Sequence, residues 1–371
     1  MNPNDELGLL VGEVVDQLTT VQFYMGGGAA AYSKPAVRQL YEAARREDPE
    51  PLSYQAARAL VDAISEGDNV LILTGLLSPP VLVPETDGPI GALTLARSLA
   101  LGLGAKVTVL IEDGFEHSLT RLAPSSGLTP APSSGAIRPQ QIAVAGFPLD
   151  EKAASSEAER LIEKMQPKAV IAIEKLDCNT NGVFHNGGGI DMGAVTAPMN
   201  RIVDRARTAG VLTIGIGDGG NEIGLGNIET SVRQILAMGM NCGCPCGGGI
   251  AASTPTDLTI VAAVANWGAY AIETVMAALL GRPELLHSEA ISRRLHDEAA
   301  RCGYIDPASC QSDGFVDGLP PEMSTLLVKQ LHIMLAAQMN PNGRREIFRS
   351  LMADRATVQA QVDSWPETRH Q

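Results

Sequence analysis

Aromatic side chains are scarce in this chain of 371 residues, at 4%, whereas glycine is abundant, with 38 residues. The apolar fraction is nevertheless 45%, which is enough for a full hydrophobic core. That core must therefore be built mainly from Ala, Val, Ile and Leu. The length fits two domains, or one large α/β domain with appended segments.

Excess positive charge is also lacking, because the formal net charge is −14. This charge argues against nucleic acid and anionic membrane as partners, although local positive groups would still allow a small anionic substrate. The chain has no run of about 18 apolar residues, so we expect no membrane span. Residues 1–6 do not look like a signal peptide, and six cysteines are too few for a disulfide scaffold in a chain this long. We therefore expect a cytoplasmic protein with reduced thiols.

Strand and helix patterns alternate along most of the chain. Short apolar runs predict buried strands at 69–74, 106–111, 141–145, 168–173, 211–216 and 257–264. Helical patterns separate these runs, and one of them, with Met192 and Val195 on its apolar stripe, is predicted to extend to about Ala209. This alternation predicts an α/β fold with a three-layer, Rossmann-like parallel sheet flanked by helices. We divide the chain into an N-terminal helical segment (1–66), an α/β catalytic core (67–285) and a C-terminal helical segment (286–371), which together form one compact unit.

Acidic, glycine-rich loops follow several of the predicted strands. The most distinctive is the turn Gly215–Gly226, where Asp218 and Glu222 lie among six glycines. Glycine allows the backbone to turn sharply and to approach a ligand closely. Loops 75–88 and 174–191 have a similar character. Because ligands bind outside the carboxyl ends of parallel strands, we expect the three loops to share one cleft.

Carboxylates from several loops, together with Asn and His, suit a hard divalent cation such as Mg²⁺ or Mn²⁺. In loop 75–88, Glu85 and Asp87 are candidates, although Asp87 could equally cap the helix that follows. Loop 174–191 adds polar candidates, with a solvated loop and a helix cap at Asp191 as the alternative. These candidates are Glu174, Asp177, Asn179, His185, Asn186 and Asp191.

Cysteine is concentrated in one segment, Asn241–Gly249, at Cys242, Cys244 and Cys246. The C-x-C-x-C spacing is tighter than the usual zinc or iron–sulfur spacings. It favours small buried residues or redox-sensitive thiols.

A dinucleotide fingerprint is formally matched by Gly215-x-Gly217-x-x-Gly220 after a strand. The match is weak because Asp218 inside the turn would repel a pyrophosphate. In addition, no strand ending in an acidic residue follows about 20 residues later.

Four segments together resemble the D-glutamate cyclase family over about residues 20–320. They are Pro84-Glu-Thr-Asp-Gly-Pro89, the loop from Glu174 to Asp191, the turn from Gly215 to Gly224, and Asn266-Trp-Gly-x-Tyr270; Val316–Pro320 also fits. The resemblance implies a hydro-lyase of D-amino acid metabolism that converts D-glutamate to 5-oxo-D-proline with loss of water. Two features depart from the family pattern: the cysteine-rich segment, and His185, where we expect an aromatic residue.

The reaction that the resemblance implies assigns roles to particular residues. Asp191, Asp218 and Glu222 would hold the cation, with Asp218 also catalytic. Glu85 or Asp87 would take the ammonium proton or anchor the cation, and His185 would protonate the leaving oxygen. The predicted substrate-binding residues are Thr86, Gly88, Lys175, Asn186, Gly219, Gly220, Asn221 and Asn266, with Lys175 or Arg201 pairing with the α-carboxylate.

Three alternatives stay open from the sequence. One is another metal-dependent enzyme acting on a small amino or hydroxy acid, such as a racemase or a lactam hydrolase. The second is a non-catalytic sensor that binds an amino acid, and the third is a sensor that binds a nucleotide. In each case the expected partner is a small molecule, and a homo-oligomer is compatible with the sequence.

Overall fold

A seven-stranded parallel sheet forms the centre of the molecule. The computed structural model describes residues 3–23, 36–46, 48–132, 136–340, 348–350 and 352–365. Its strands are β1 (Asn69–Leu73), β2 (Leu77–Ser78), β3 (Val83–Pro84), β4 (Lys106–Glu112), β5 (Thr129–Pro130), β6 (Gln141–Phe147), β7 (Ala169–Ile173), β8 (Leu212–Gly217) and β9 (Leu258–Val261). The sheet has the order β5-β6-β4-β1-β7-β8-β9, and each pair of neighbours is parallel. Strands β2 and β3 form a separate antiparallel ribbon.

Helices surround this sheet and extend beyond it at both ends of the chain. They are α1 (Pro3–Thr19), α2 (Ala36–Ala44), α3 (Leu52–Ala63), α4 (Pro89–Gly102), α5 (Glu116–Leu122), α6 (Glu151–Met165), α7 (Asn200–Thr208), α8 (Glu229–Ile235), α9 (Ala265–Leu280), α10 (Glu289–Arg301), α11 (Pro321–Met339) and α12 (Arg355–Asp363). Helix α1 packs on α9, and α10 packs on α11. The division of the chain into three segments remains a prediction, and the ends of its outer segments, at 1–2 and 366–371, lie outside the described residues.

Both faces of the sheet are buried, as the apolar runs predict. Because side chains alternate along a strand, Val70 and Ile72 of β1 enter one apolar cluster, while Leu71 and Leu73 enter another. Residues of α3, α4 and α9 complete the first cluster, and residues of α6 and α7 complete the second. The three-layer α/β prediction is therefore confirmed.

One predicted helix is wrong in its extent. The helix expected from Met192 to about Ala209 begins only at Asn200. Pro198 disfavours helical backbone at the residue before it and lacks a backbone N–H, so the turns before it do not continue into the helix. Met192 instead packs with Leu76 and Leu176 in a small separate cluster.

The direction of chain progress across the sheet reverses beside β1. The chain runs from β1 to β4 and β6 toward one edge, then returns to β7 on the other side of β1 and continues to β8 and β9. The loops that leave the carboxyl ends of β1 and β7 therefore run in opposite directions across the sheet. Open α/β sheets bind ligands at such a switch point.

Candidate active site

A cleft of about 550 Å³ opens at this switch point. Its walls come from the loops after β1, β7 and β8, and from the C-terminal segment. The acidic residues that line it are Glu85, Glu174, Asp218, Glu222 and Asp317. Within the described part of the chain, its lining contains no Lys, Arg or His. A ligand carrying carboxylates would therefore need another source of positive charge.

Two groups of carboxylates share one member, Asp218. The first is Glu174, Asp218 and Glu222, and the second is Asp87, Asp218 and Asp317; within each group, one oxygen of every residue lies within 4.8 Å of the others. Among the described residues, Oε2 of Glu174, Oε2 of Glu222 and Oδ2 of Asp317 are buried without a hydrogen-bond partner. Buried oxygen ligands without partners fit a hard divalent cation, which would satisfy them.

Burial and mutual repulsion raise the pKa values of these carboxyl groups. Burial raises the pKa of Glu174 well above its ordinary value, and Asp218 and Glu222 add to the rise. The pKa of Asp218 is likewise raised well above its ordinary value by burial, with Asp317 as the largest charged contributor. A bound cation would reverse this tendency by favouring the ionised forms.

The glycine-rich turn packs closely around the Glu222 carboxylate and holds it in position. A Cβ atom at Gly217 or Gly219 would come within 2.8 Å of the Glu222 carboxylate, and the Gly219 N–H donates to its Oε1 at 2.8 Å. Gly220 has a φ of 84°, which a side chain would strain. Glu222 thus occupies the concave side of the turn, where a dinucleotide site would hold pyrophosphate, and the next helix, α8, begins only at Glu229.

Asp87 and Asn266 cap each other's helices. The carboxylate of Asp87 accepts the N–H groups of Ala265 at 2.8 Å and Asn266 at 2.7 Å, at the start of α9. The Asn266 Oδ1 accepts the N–H groups of Gly88 at 3.0 Å and Gly91 at 2.6 Å, at the start of α4. Asp87 therefore caps α9 rather than α4, the helix that follows it in sequence. Because Asp87 is grouped with Asp218 and Asp317, this capping pair adjoins the cleft without belonging to its lining.

Lys175 is held away from the cleft by an internal ion pair. Its ammonium group pairs with Glu112 and donates to the carbonyl of Gly75 at 2.9 Å. Both members of the pair are 1% exposed. Lys175 does not belong to the cleft lining, so the structure does not bring it to a substrate carboxylate. Arg201 pairs with Glu151 on the surface, at 2.6 Å.

His185 and Asp191 also lie apart from the carboxylate groups. The Nε2 atom of His185 lies 3.2 Å from Sγ of Cys244. Asp191 is exposed, and its Oδ1 accepts the N–H of Gly193 at 2.9 Å. The structure therefore separates Asp191 from Asp218 and Glu222, although the sequence grouped all three as cation ligands.

The remaining predicted binding residues fall into two sets. Asn186, Gly219 and Asn221 line the cleft, and Nδ2 of Asn221 donates to the carbonyl of His185 at 2.8 Å. Thr86, Gly88 and Gly220 lie behind the lining and have packing roles. Gly88, for example, has a φ of 88°, and a Cβ atom there would come within 2.8 Å of Cβ of Glu174.

Two acidic residues of the cleft were not assigned roles from the sequence. Glu174 directly follows β7 and has a φ of 45°, an uncommon conformation for a residue that is not glycine. Its position at a strand end was a usable signal. Asp317 lies far along the chain in the predicted C-terminal segment, where no periodicity marks it. Only the resemblance included its segment.

Comparison with known proteins identifies the family of this chain. A family described as "D-glutamate cyclase-like, C-terminal" matches residues 36–332. The chain belongs to this family. A human relative, "D-glutamate cyclase, mitochondrial", is 26% identical over 230 residues, which cover 58% of this chain and 34% of the relative. The chain thus spans about a third of that relative's length, and the predicted resemblance to D-glutamate cyclases is confirmed.

The match over residues 36–332 shows the family, whereas a lyase activity and a small-molecule substrate stay proposals. In the described residues, no helix is both long and apolar enough to span a membrane. The cytoplasmic location stays a prediction, as do the residue roles.

Proposed function

We propose that this protein is a D-glutamate cyclase-like lyase that converts D-glutamate to 5-oxo-D-proline and water. The observation that carries the proposal is the pair of carboxylate groups joined at Asp218 in a cleft whose described lining has no basic side chain. Such a cleft repels a substrate with two carboxylates unless a cation is present. The name of the human relative, D-glutamate cyclase, suggests the reaction class.

Five residues would hold one or two divalent cations, Mg²⁺ or Mn²⁺: Asp87, Glu174, Asp218, Glu222 and Asp317. A cation held there would supply Lewis-acid polarisation of the substrate γ-carboxylate. Asn221, at the lining between the turn and loop 174–191, offers an amide that can orient the substrate. Phe23, Leu76 and Leu236 provide apolar surface for the methylene groups and limit the entry of water.

Glu85 is the residue that we assign to proton transfer. It lines the cleft but lies outside both cation-binding groups. Burial raises the pKa of Glu85 well above its ordinary value, and Asp317 contributes the largest charge effect. A carboxyl group with a raised pKa can accept a proton and return it near neutral pH.

The atoms of the proposed reaction balance with Glu85 as proton carrier. The ammonium group loses two protons, a C–N bond forms to the carbon of the γ-carboxylate, and one C–O bond of that carboxylate breaks. The departing oxygen leaves as water with both protons. Glu85 would take a proton from the amine side and deliver it to the oxygen side.

The direct test follows conversion of D- and L-glutamate by the purified protein with Mn²⁺, with Mg²⁺ and with a chelator. We expect cation-dependent loss of primary amine and appearance of 5-oxo-D-proline, measured by chiral chromatography with mass detection. Glu85→Gln should lose turnover but keep Mn²⁺ binding, whereas the exposed control Glu284→Gln should keep both. Turnover that persists undiminished in Glu85→Gln would contradict the role of Glu85.

The same assay separates the alternatives. Exchange of the α-hydrogen in D₂O with formation of the other enantiomer would indicate a racemase. Net hydrolysis of 5-oxoproline with no measurable cyclisation would indicate a lactam hydrolase. Tight binding of glutamate or a nucleotide without turnover would indicate a sensor.

A further inference from the structure

A second cluster of ligand atoms lies beside the cleft, on the far side of loop 174–191. The Sγ atom of Cys242 is 3.3 Å from Sγ of Cys244 and 3.4 Å from Sγ of Cys246. The Nε2 atom of His185 is 3.2 Å from Sγ of Cys244 and 3.6 Å from Sγ of Cys246. One ligand atom from each of the four residues lies within 4.8 Å of all the others.

We propose that His185, Cys242, Cys244 and Cys246 form a structural zinc site. Tetrahedral zinc with Zn–S bonds of about 2.3 Å and a Zn–N bond of about 2.0 Å separates its ligand atoms by roughly 3.5–3.8 Å. The observed separations differ from this by a few tenths of an ångström, so small rotations of the side chains would complete the tetrahedron. Three thiolates and one imidazole fill all four positions, and this closed donor set is typical of structural zinc.

Backbone geometry supports thiolates at these positions. The Cys246 N–H donates to Sγ of Cys244 at 3.4 Å, and the Gly248 N–H donates to Sγ of Cys246 at 3.4 Å. Hydrogen bonds of this kind stabilise ligating sulfur atoms from outside the metal's own ligand shell. Gly243 has a φ of 74° and Gly247 a φ of 61°, and these left-handed turns let closely spaced cysteines converge.

The ring of His185 has no other anchor in the described residues. It is 1% exposed, its Nδ1 lacks a hydrogen-bond partner, and the polar contacts of its Nε2 are the two sulfur atoms. A buried imidazole without another partner is costly. Coordination through Nε2 would offset part of that cost and would fix the tautomer with the proton on Nδ1.

The proposed zinc links loop 174–191 to the segment Asn241–Gly249. Close backbone packing and hydrogen bonds from side-chain amides are the other contacts described between them. A Cβ atom at Gly189 would come within 2.2 Å of the carbonyl oxygen of Cys242, and Nδ2 of Asn179 donates to the carbonyl of Gly249 at 2.8 Å. Asn221 of the cleft lining donates to the carbonyl of His185. Zinc would therefore hold the wall of the cleft that carries Asn186 and Asn221, without touching the substrate.

The spacing of the cysteines alone does not reveal this site. C-x-C-x-C is too tight to surround a zinc ion alone. His185, which lies 57 residues before Cys242 in the chain, supplies the fourth ligand of the tetrahedron.

The test measures metal in the whole chain purified under reducing conditions. We expect roughly one zinc per chain by elemental analysis after dialysis against a weak chelator, and its release on titration with a thiol-specific mercurial. Replacement with Co²⁺ should give thiolate-to-metal charge-transfer bands and the ligand-field spectrum of a tetrahedral site. These readouts do not depend on turnover, so they stand or fall separately from the proposed cyclase activity.

Matched variants identify the ligands. Cys244→Ser should lose most of the zinc, whereas Cys302→Ser, a half-buried cysteine outside the cluster, should keep it. His185→Ala should weaken zinc binding at least tenfold, and His185→Cys should restore it as a four-thiolate site. Asp218→Asn should leave the zinc content unchanged.

If Cys244→Ser fails to fold, the Co²⁺ spectra of the wild type and of His185→Cys still decide the question. Co²⁺ spectra without thiolate bands would overturn the proposal. So would zinc content that is unchanged in Cys244→Ser, or a disulfide among the three cysteines of the reduced preparation.

Discussion

The carboxylate groups of the cleft and the thiol–imidazole cluster beside it share one loop but differ in chemistry. Glu174, at the start of loop 174–191, faces Asp218 and Glu222, whereas His185, further along, faces three cysteine sulfurs. The first set offers hard oxygen ligands around open space, and the second offers soft ligands that close on one another. Hard cations such as Mn²⁺ prefer the first, and zinc prefers the second. One loop therefore contributes to a site that can admit substrate and to one that cannot.

Loss of Asp218 should produce the largest effect and separate the two sites most clearly. Asp218 belongs to both carboxylate groups, so Asp218→Asn should weaken Mn²⁺ binding and reduce kcat/KM roughly 10³- to 10⁴-fold, because Lewis-acid stabilisation contributes several kcal/mol. Calorimetric titration with Mn²⁺ and the cyclisation assay measure both. Asp204→Asn, on the exposed surface of α7, serves as the control. Equal turnover in the two variants would show that Asp218 does not take part in the reaction.

The buried pair Lys175–Glu112 tests whether charge near the cleft serves the substrate or the fold. Lys175→Met should lower the free energy of unfolding by about 3–5 kcal/mol, because it leaves Glu112 buried and unpaired. Urea denaturation measures this change, and Lys175→Met combined with Glu112→Gln should recover part of the loss. A variant of unchanged stability with a raised KM for glutamate would instead support the substrate contact that the sequence predicted.

His296 contrasts with His185, because both imidazoles are buried but only His185 contacts sulfur atoms. The Nδ1–H group of His296 donates to the carbonyl oxygen of Gly314 at 2.8 Å. Burial lowers the pKa of His296 to about 4, from 6.5 in an unfolded chain. As the pH falls from about 6.5 to 4, the unfolded chain binds a proton that the folded chain does not, so stability falls, by about 3 kcal/mol in total.

His296→Gln should flatten this dependence while keeping a donor for Gly314. Urea denaturation between pH 4 and pH 7 measures the free energy of unfolding at each pH. The slope of this free energy against pH should be smaller than in the wild type by up to about 1.4 kcal/mol per pH unit. Identical slopes in the two proteins would show that His296 does not stay neutral in the fold.

The sequence predicted the sheet well because strand burial depends on local composition. The runs that became β1, β4, β7 and β8 are apolar on both faces, and their loops carry the glycines and acids that mark strand ends. The helix predicted from Met192 was wrong because its stripe of apolar residues belongs to separate contacts on either side of Pro198.

The site was harder to predict because its groups meet through tertiary structure. Asp87 looked like a cap for its own helix, but its carboxylate reaches the start of α9. Asp317 and the pairing of Lys175 with Glu112 depend on segments far apart in sequence. The link between His185 and the cysteines is of the same kind. The residue types indicated which chemistry was possible. Which side chains contact one another could be learned only from the fold.

Anomalous diffraction from one crystal soaked with Mn²⁺ tests the two-site account most directly. Data on either side of the zinc and manganese absorption edges distinguish the two metals in the same molecule. The account predicts a zinc peak among His185, Cys242, Cys244 and Cys246, and a manganese peak adjoining Asp218. Manganese at the sulfur atoms, or no peak of either metal at these two positions, would contradict it.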